Sequence, residues 1–249
     1  MRRFPLLGLL FCLPAVGQLA PATSSQPPSH QQLGDAPQAQ WASQLGFSRY
    51  AEDNRRIAKQ KTSRPIVLMG DSITDFWIRY DPELFEDGNI IDRRISGQTT
   101  MQILLRFRAD VVALHPKAVV ILAGINDLAQ NQGKESLELI EGNLQSMAEI
   151  GQASGIRVLF CSLPPSDHFA WRPGIAPTAD IRAINLWMKS YALAHHLVYI
   201  DYFSALAGPG NTIPPAYSLD GVHPTKAGYV VMRRELMKGI DASRHTQSK

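Results

Sequence analysis

Ile66-Val67-Leu68-Met69-Gly70-Asp71-Ser72-Ile73-Thr74 sets an unbroken apolar run directly against a glycine, an acid and a serine. The run is short and lacks polar alternation, as a strand covered on both faces does. Four more runs share the pattern: Ile90-Ile91, Ala118-Val119-Val120-Ile121-Leu122, Val158-Leu159-Phe160 and Leu197-Val198-Tyr199-Ile200. Between and after them, apolar positions recur at helical spacing over residues 99–114, 135–154, 180–196 and 224–240. Pro224 suits the start of the last of these by its fixed φ and missing donor. This alternation predicts an α/β fold, a parallel sheet with helices on both faces. Right-handed crossovers then bring the loops after the strand C-termini to one edge, where α/β ligand sites lie.

Four polar groups fall at that edge. Ser72 follows the first strand at the start of a helix, exposed to a cleft and beside free backbone N–H groups. It reads equally as a nucleophile or as a helix cap. Gly97, in Ile95-Ser96-Gly97-Gln98-Thr99, lets the backbone approach a ligand closely. Asn126, in Gly124-Ile125-Asn126-Asp127, offers a side-chain amide of the kind a developing oxyanion needs. Asp127 reads as a cap. In Asp220-Gly221-Val222-His223-Pro224 the acid can reach the imidazole Nδ1 from its own loop, leaving Nε2 to accept a serine proton. Its alternative is a turn whose Asp and His only satisfy backbone groups. Other chemistries are excluded by inspection. Thr74 stands where a Gly-x-Ser-x-Gly elbow ends in glycine, Ile73 replaces the second acid of an aspartyl-phosphate site, and Gly70 lacks the Lys of a P-loop. No histidine pair has metal-ligand spacing; His195-His196 are adjacent and read as packed or surface residues.

Taken together, a nucleophile, two oxyanion donors and an acid–base pair follow separate strands. In these blocks the chain resembles the SGNH (GDSL-type) hydrolases, named for invariant Ser, Gly, Asn and His, here Ser72, Gly97, Asn126 and His223. The resemblance spans about residues 66–239. It is nearest to bacterial acylhydrolases similar to platelet-activating-factor acetylhydrolase. It implies a three-layer α/β/α sandwich with a five-stranded parallel sheet, flavodoxin-like in plan, and no metal or organic cofactor. It also implies Ser72, His223 and Asp220 as catalytic residues, with an oxyanion hole of the Ser72 and Gly97 N–H groups and the Asn126 amide. Phe169 and Trp171, in the proline-containing loop 162–180, and Trp77 beyond the nucleophile are expected to wall the substrate site, where core packing is the alternative. Asp71, Ile125 and Val222 are expected to contact substrate as well. The expected substrate is a small-molecule or carbohydrate ester, with short acyl groups, acetyl in particular. The rivals are a lysophospholipase or thioesterase for longer chains and a non-catalytic carbohydrate-binding relative.

Composition narrows the field without naming a substrate. The chain has 249 residues, 45% hydrophobic and 19% charged, sufficient for one sizeable core. Arg2-Arg3 followed by an apolar stretch of about a dozen residues and the small residues Ala15-Val16-Gly17 read as a signal peptide over residues 1–17. Its removal takes the formal charge from +3 to +1, which argues against nucleic acid as a partner. Arg93-Arg94 and Arg106-Phe107-Arg108 read as solvated surface or ion pairs. The stretch is too short for stable membrane insertion, and secretion or periplasmic export is expected. Residues 18–40, rich in Pro, Gln, Ser and Ala, read as a flexible linker. The hydrolase domain is expected over 41–241 and a frayed tail over 242–249. Cys12 falls in the signal peptide, so Cys161 is left without a disulfide partner and reads as a small buried hydrophobe.

Overall fold

A computed structural model describes residues 45–59 and 64–245. The expected signal peptide and linker lie outside the described residues. Five strands form one parallel sheet in the order β2-β1-β3-β4-β5: β1 Ile66–Gly70, β2 Ile90–Arg94, β3 Ala118–Leu122, β4 Arg157–Cys161 and β5 Val198–Ile200. All five expected strands are present. The central strands β1 and β3 are buried at every position, which explains their uninterrupted apolar sequence.

Among the described residues, nine α-helices connect and cover the sheet: α1 Ala51–Ala58, α2 Ser72–Asp75, α3 Trp77–Tyr80, α4 Thr100–Asp110, α5 Ile125–Leu128, α6 Leu137–Ala153, α7 Thr178–Ala194, α8 Tyr202–Leu206 and α9 Lys226–His245. Successive side chains of β5 sort the layers, because a strand alternates faces. The Tyr199 hydroxyl reaches the Asn185 carbonyl of α7 at 3.3 Å, whereas Val198 and Ile200 lie against Gly239 of α9. Helices therefore cover both faces, and the architecture is the three-layer sandwich.

Two boundaries differ from expectation for local reasons. Helix α9 begins after Pro224, because Ser218 and Pro224 form an antiparallel bridge and Thr225 Oγ1 accepts the Gly228 N–H. It then runs to His245 through part of the segment expected to fray, held where Arg157 Nη1 donates to the Ser243 carbonyl at 3.0 Å. Strand β2 also extends past its apolar pair through Asp92-Arg93-Arg94. Both arginines are 2% exposed and ion-paired, Arg93 to Asp53 at 2.7 Å and Arg94 to Asp92 at 2.7 Å. Pairing lets charge enter a buried edge strand. Cys161 is free and wholly buried, and burial pushes its thiol up to about 12. His195 stacks on Tyr191.

Candidate active site

The sheet register sets the site. Gly70, at the end of β1, is level with Arg94 of β2 and Leu122 of β3. The segments carrying Ser72, Gly97 and Asn126 therefore leave three aligned strand ends together. The chain crosses from β2 over β1 to β3 at this place, so the site occupies the switch point of the sheet.

Asp71 and Ser72 divide two tasks. Asp71 is the N-cap of α2, its Oδ1 accepting the Ile73 N–H at 3.0 Å. Ser72 is thus the first helical residue and its hydroxyl is not the cap. Its own N–H, in the first turn, has no acceptor within the helix. The Ser72 hydroxyl donates instead to His223 Nε2 at 2.9 Å, across 151 residues of chain.

The imidazole is held from the other side by Asp220, whose Oδ2 lies 2.6 Å from Nδ1. A carboxylate only accepts, so Nδ1 carries the proton and Nε2 is left as the acceptor facing Ser72. Asp220 Oδ1 takes the backbone N–H groups of Val222 at 2.9 Å and His223 at 2.7 Å. The acid therefore does more than satisfy backbone groups: one oxygen closes the turn and the other holds the ring. Burial raises the Asp220 carboxyl, but the bonds from the imidazole and the two N–H groups outweigh it, leaving the pKa below the usual carboxylate range.

Gly97 turns the backbone at φ +80°, a region that favours glycine, with open space where a Cβ would stand. The Asn126 amide nitrogen donates to the Gln98 carbonyl at 3.1 Å, which ties the third block to the second. A primary amide has two N–H bonds, so one remains for a ligand. Asp127 caps a neighbouring helix: its carboxylate accepts the Thr100 N–H, at the start of α4, at 3.0 Å.

The wall residues separate into two groups. Trp171 is 38% exposed and its ring centroid lies 6.0 Å from that of His223. Phe169 is buried behind it at 5.2 Å. Trp77 is not a wall: it is 2% exposed and packs on Tyr229 in the core. Asp71, Ile125 and Val222 are also buried, at 2% exposure or less, so they support the site from beneath without offering surface to a substrate. Two further residues belong here. Phe76 lies 4.9 Å from His223 by ring centroids, one helical turn after Ser72, a spacing that places both on one side of the chain. Asn131 donates to Asn126 Oδ1 at 2.8 Å. It stands in a polar loop where no sequence pattern marks it. Among the described residues no cluster of three or more His, Cys, Asp or Glu could hold a metal ion, and no helix is long and apolar enough to cross a membrane.

Comparison with known proteins identifies the family and the fold. The family model described as GDSL-like Lipase/Acylhydrolase matches residues 68–231. A GDSL-like lipase from Bacteroides thetaiotaomicron is 38% identical, with a TM-score of 0.77 over 80% of this chain and 98% of its own. A protein of Bacteroides fragilis assigned to the acylhydrolases is 35% identical, with a TM-score of 0.76 over 80% of this chain and 97% of its own. An acetylxylan esterase from Geobacillus stearothermophilus, in a catalytic mutant form, shares the fold at 19% identity, with a TM-score of 0.57 over 71% of this chain and 94% of its own. No curated protein matches significantly. Fold and site together define an ester hydrolase. The chain belongs to the GDSL-like lipase/acylhydrolase family.

Proposed function

We propose that this protein is an exported serine esterase that removes short acyl groups, acetyl in particular, from small-molecule or carbohydrate esters through an acyl-enzyme. The observation that carries the reading is the continuous line from Asp220 Oδ2 through both imidazole nitrogens of His223 to Ser72 Oγ, at 2.6 and 2.9 Å. In the first step the Ser72 oxygen attacks the ester carbonyl carbon while His223 Nε2 takes its proton. The tetrahedral oxyanion is met by the Ser72 and Gly97 N–H groups and the free N–H of Asn126. Collapse expels the alcohol, which leaves with the proton held on Nε2. Water then attacks the acyl-Ser72 carbonyl, giving its proton to the same nitrogen, and the carboxylic acid departs as Ser72 is restored. Asp220 keeps the ring in the tautomer both halves require.

The rings of Phe76 and Trp171, 4.9 and 6.0 Å from that of His223 by centroids, supply apolar surface beside the imidazole for a small acyl group. Aromatic rings of this kind also suit the faces of sugars. Export is supported by the charged and apolar character of residues 1–17. Hydrolysis of aryl acetate, butyrate and octanoate tests the reading, with Ser72→Ala as control. Acetate preferred, and activity lost in Ser72→Ala, is the expected result. Octanoate preferred would transfer the assignment to longer-chain lipids, and activity surviving in the variant would overturn the nucleophile.

A further inference from the structure

Asn131 joins the three parts of the site that come from different loops. Its amide nitrogen donates to Asn126 Oδ1 at 2.8 Å and approaches the Gly97 carbonyl at 3.4 Å. Its amide oxygen accepts the Trp171 indole N–H at 3.1 Å. The loop bearing Trp171 has a second tether, from Arg172 Nη2 to the Gln130 carbonyl at 3.5 Å.

The polarity of this chain of bonds follows from the chemistry of its two ends. An indole N–H only donates, so the Asn131 atom facing Trp171 must be the oxygen. The Asn131 nitrogen is then the atom that faces Asn126, and the Asn126 atom it meets must be oxygen. At the far end the Gln98 backbone carbonyl only accepts, so the Asn126 atom facing it must be nitrogen. Both ends impose the same orientation on Asn126: oxygen toward Asn131 and nitrogen toward Gln98, which leaves the second N–H as the one assigned to the oxyanion. A side-chain amide turned by half a rotation would present its oxygen to a developing oxyanion and repel it.

We propose that Asn131 is a positioning residue that holds the Asn126 amide in its donating orientation, with the Trp171 indole fixing the polarity of the pair. The same contact fastens the loop whose ring covers His223, so the wall of the site and its oxyanion donor are set by one side chain. The proposal rests on the assignment of Asn126 to the oxyanion hole made above.

A kinetic cycle on an aryl acetate tests it, with wild type, Asn131→Ala, Asn126→Ala and the double variant. Asn131→Ala is expected to lower kcat about 10-fold or more with KM little changed, short of the roughly 100- to 1000-fold of losing an oxyanion donor outright. In the Asn126→Ala background its further effect is expected to vanish, because the two residues act as one unit. Trp171→Phe keeps the ring against His223 and removes only the donor. It is expected to lower kcat in the wild-type background and not in Asn131→Ala, and it carries the test if Asn131→Ala fails to fold. Independently of turnover, the Asn126 side-chain amide resonances, identified by their loss in Asn126→Ala, are expected to move in Trp171→Phe. Additive kinetic losses, or amide resonances that stay in place, would overturn the proposal. A wild-type protein that hydrolyses no ester while those resonances respond would overturn the functional reading and uphold the positioning contact.

Discussion

The Asp71 carboxyl is wholly buried; one oxygen caps α2 and the other has no hydrogen-bond partner among the described residues. Burial, with the nearby charges of Asp127 and Asp75 adding to it, pushes its pKa up to about 7, against the pull of the Ile73 N–H. A carboxyl raised in the folded state contributes stability that is fully present near pH 4 and is lost as pH rises through about 7. Asp71→Asn keeps an oxygen for the Ile73 N–H and cannot ionise. The variant is therefore expected to gain melting temperature relative to wild type between pH 4.5 and pH 8, followed by thermal unfolding at both. A constant difference over that range would contradict the account. Asp220 has the opposite character, held ionised by its donors. Asp220→Asn is expected to lower kcat by on the order of 1000- to 10,000-fold with KM little changed, because the imidazole loses the acceptor that selects its tautomer. Steady-state kinetics on an aryl acetate checks this. Ser72, Gly97 and Asn126 were legible in the sequence because each closely follows a strand end, and Asp220 and His223 because acid and imidazole share one short turn. Their supports were not: Asn131 and Phe76 act through contacts between loops far apart in sequence, and Trp77 and Trp171 look alike until packing separates core from cleft.

Strand β1 must end close to its neighbour for Ser72 to emerge in place. A Cβ on Gly70 would meet the Leu122 carbonyl of β3 at 2.8 Å and collide with the Thr74 hydroxyl. Gly70→Ala is therefore expected to displace the start of α2 and cut kcat about 100-fold, the cost of misplacing a reacting group by about 1 Å. Near-normal turnover would show that the strand end can give. Beneath the same edge Arg106 of α4 is fully buried. It pairs with Asp110 at 2.9 Å and donates to the Gln98 side chain at 2.6 Å and to the Arg93 carbonyl at 2.7 Å. Arg106→Ala leaves Asp110 buried without its ion pair, the Asn54 amide at 2.7 Å still donating to its other oxygen, and is expected to cost about 3–5 kcal/mol in urea unfolding. A loss below about 1 kcal/mol would contradict that reading. Element positions were readable from apolar runs and helical spacing, but their ends were decided by tertiary contacts. Charged β2 is such a case: it pairs with β1 as far as Arg94 because Asp53, Asp75 and Asp92 neutralise its arginines.

At the scale of the whole molecule, the site exists because a parallel sheet returns every crossover to one edge. The Ser72 segment follows the first strand and the His223 loop precedes the last helix. The buried Tyr229 hydroxyl of α9 donates to the Ile73 carbonyl at 2.7 Å and clamps these two ends together. The sheet could be read in advance because double coverage removes polar residues from its strands. The loop 162–180 could not, since neither periodicity nor turn chemistry says where Trp171 will lie. Activation of Ser72 by this assembly is read out by covalent labelling of the folded protein with a fluorophosphonate. Peptide mass spectrometry is expected to find one adduct, on Ser72, absent in Ser72→Ala and formed far more slowly in His223→Ala. An adduct on another residue, or labelling of Ser72 at an unchanged rate without His223, would contradict it.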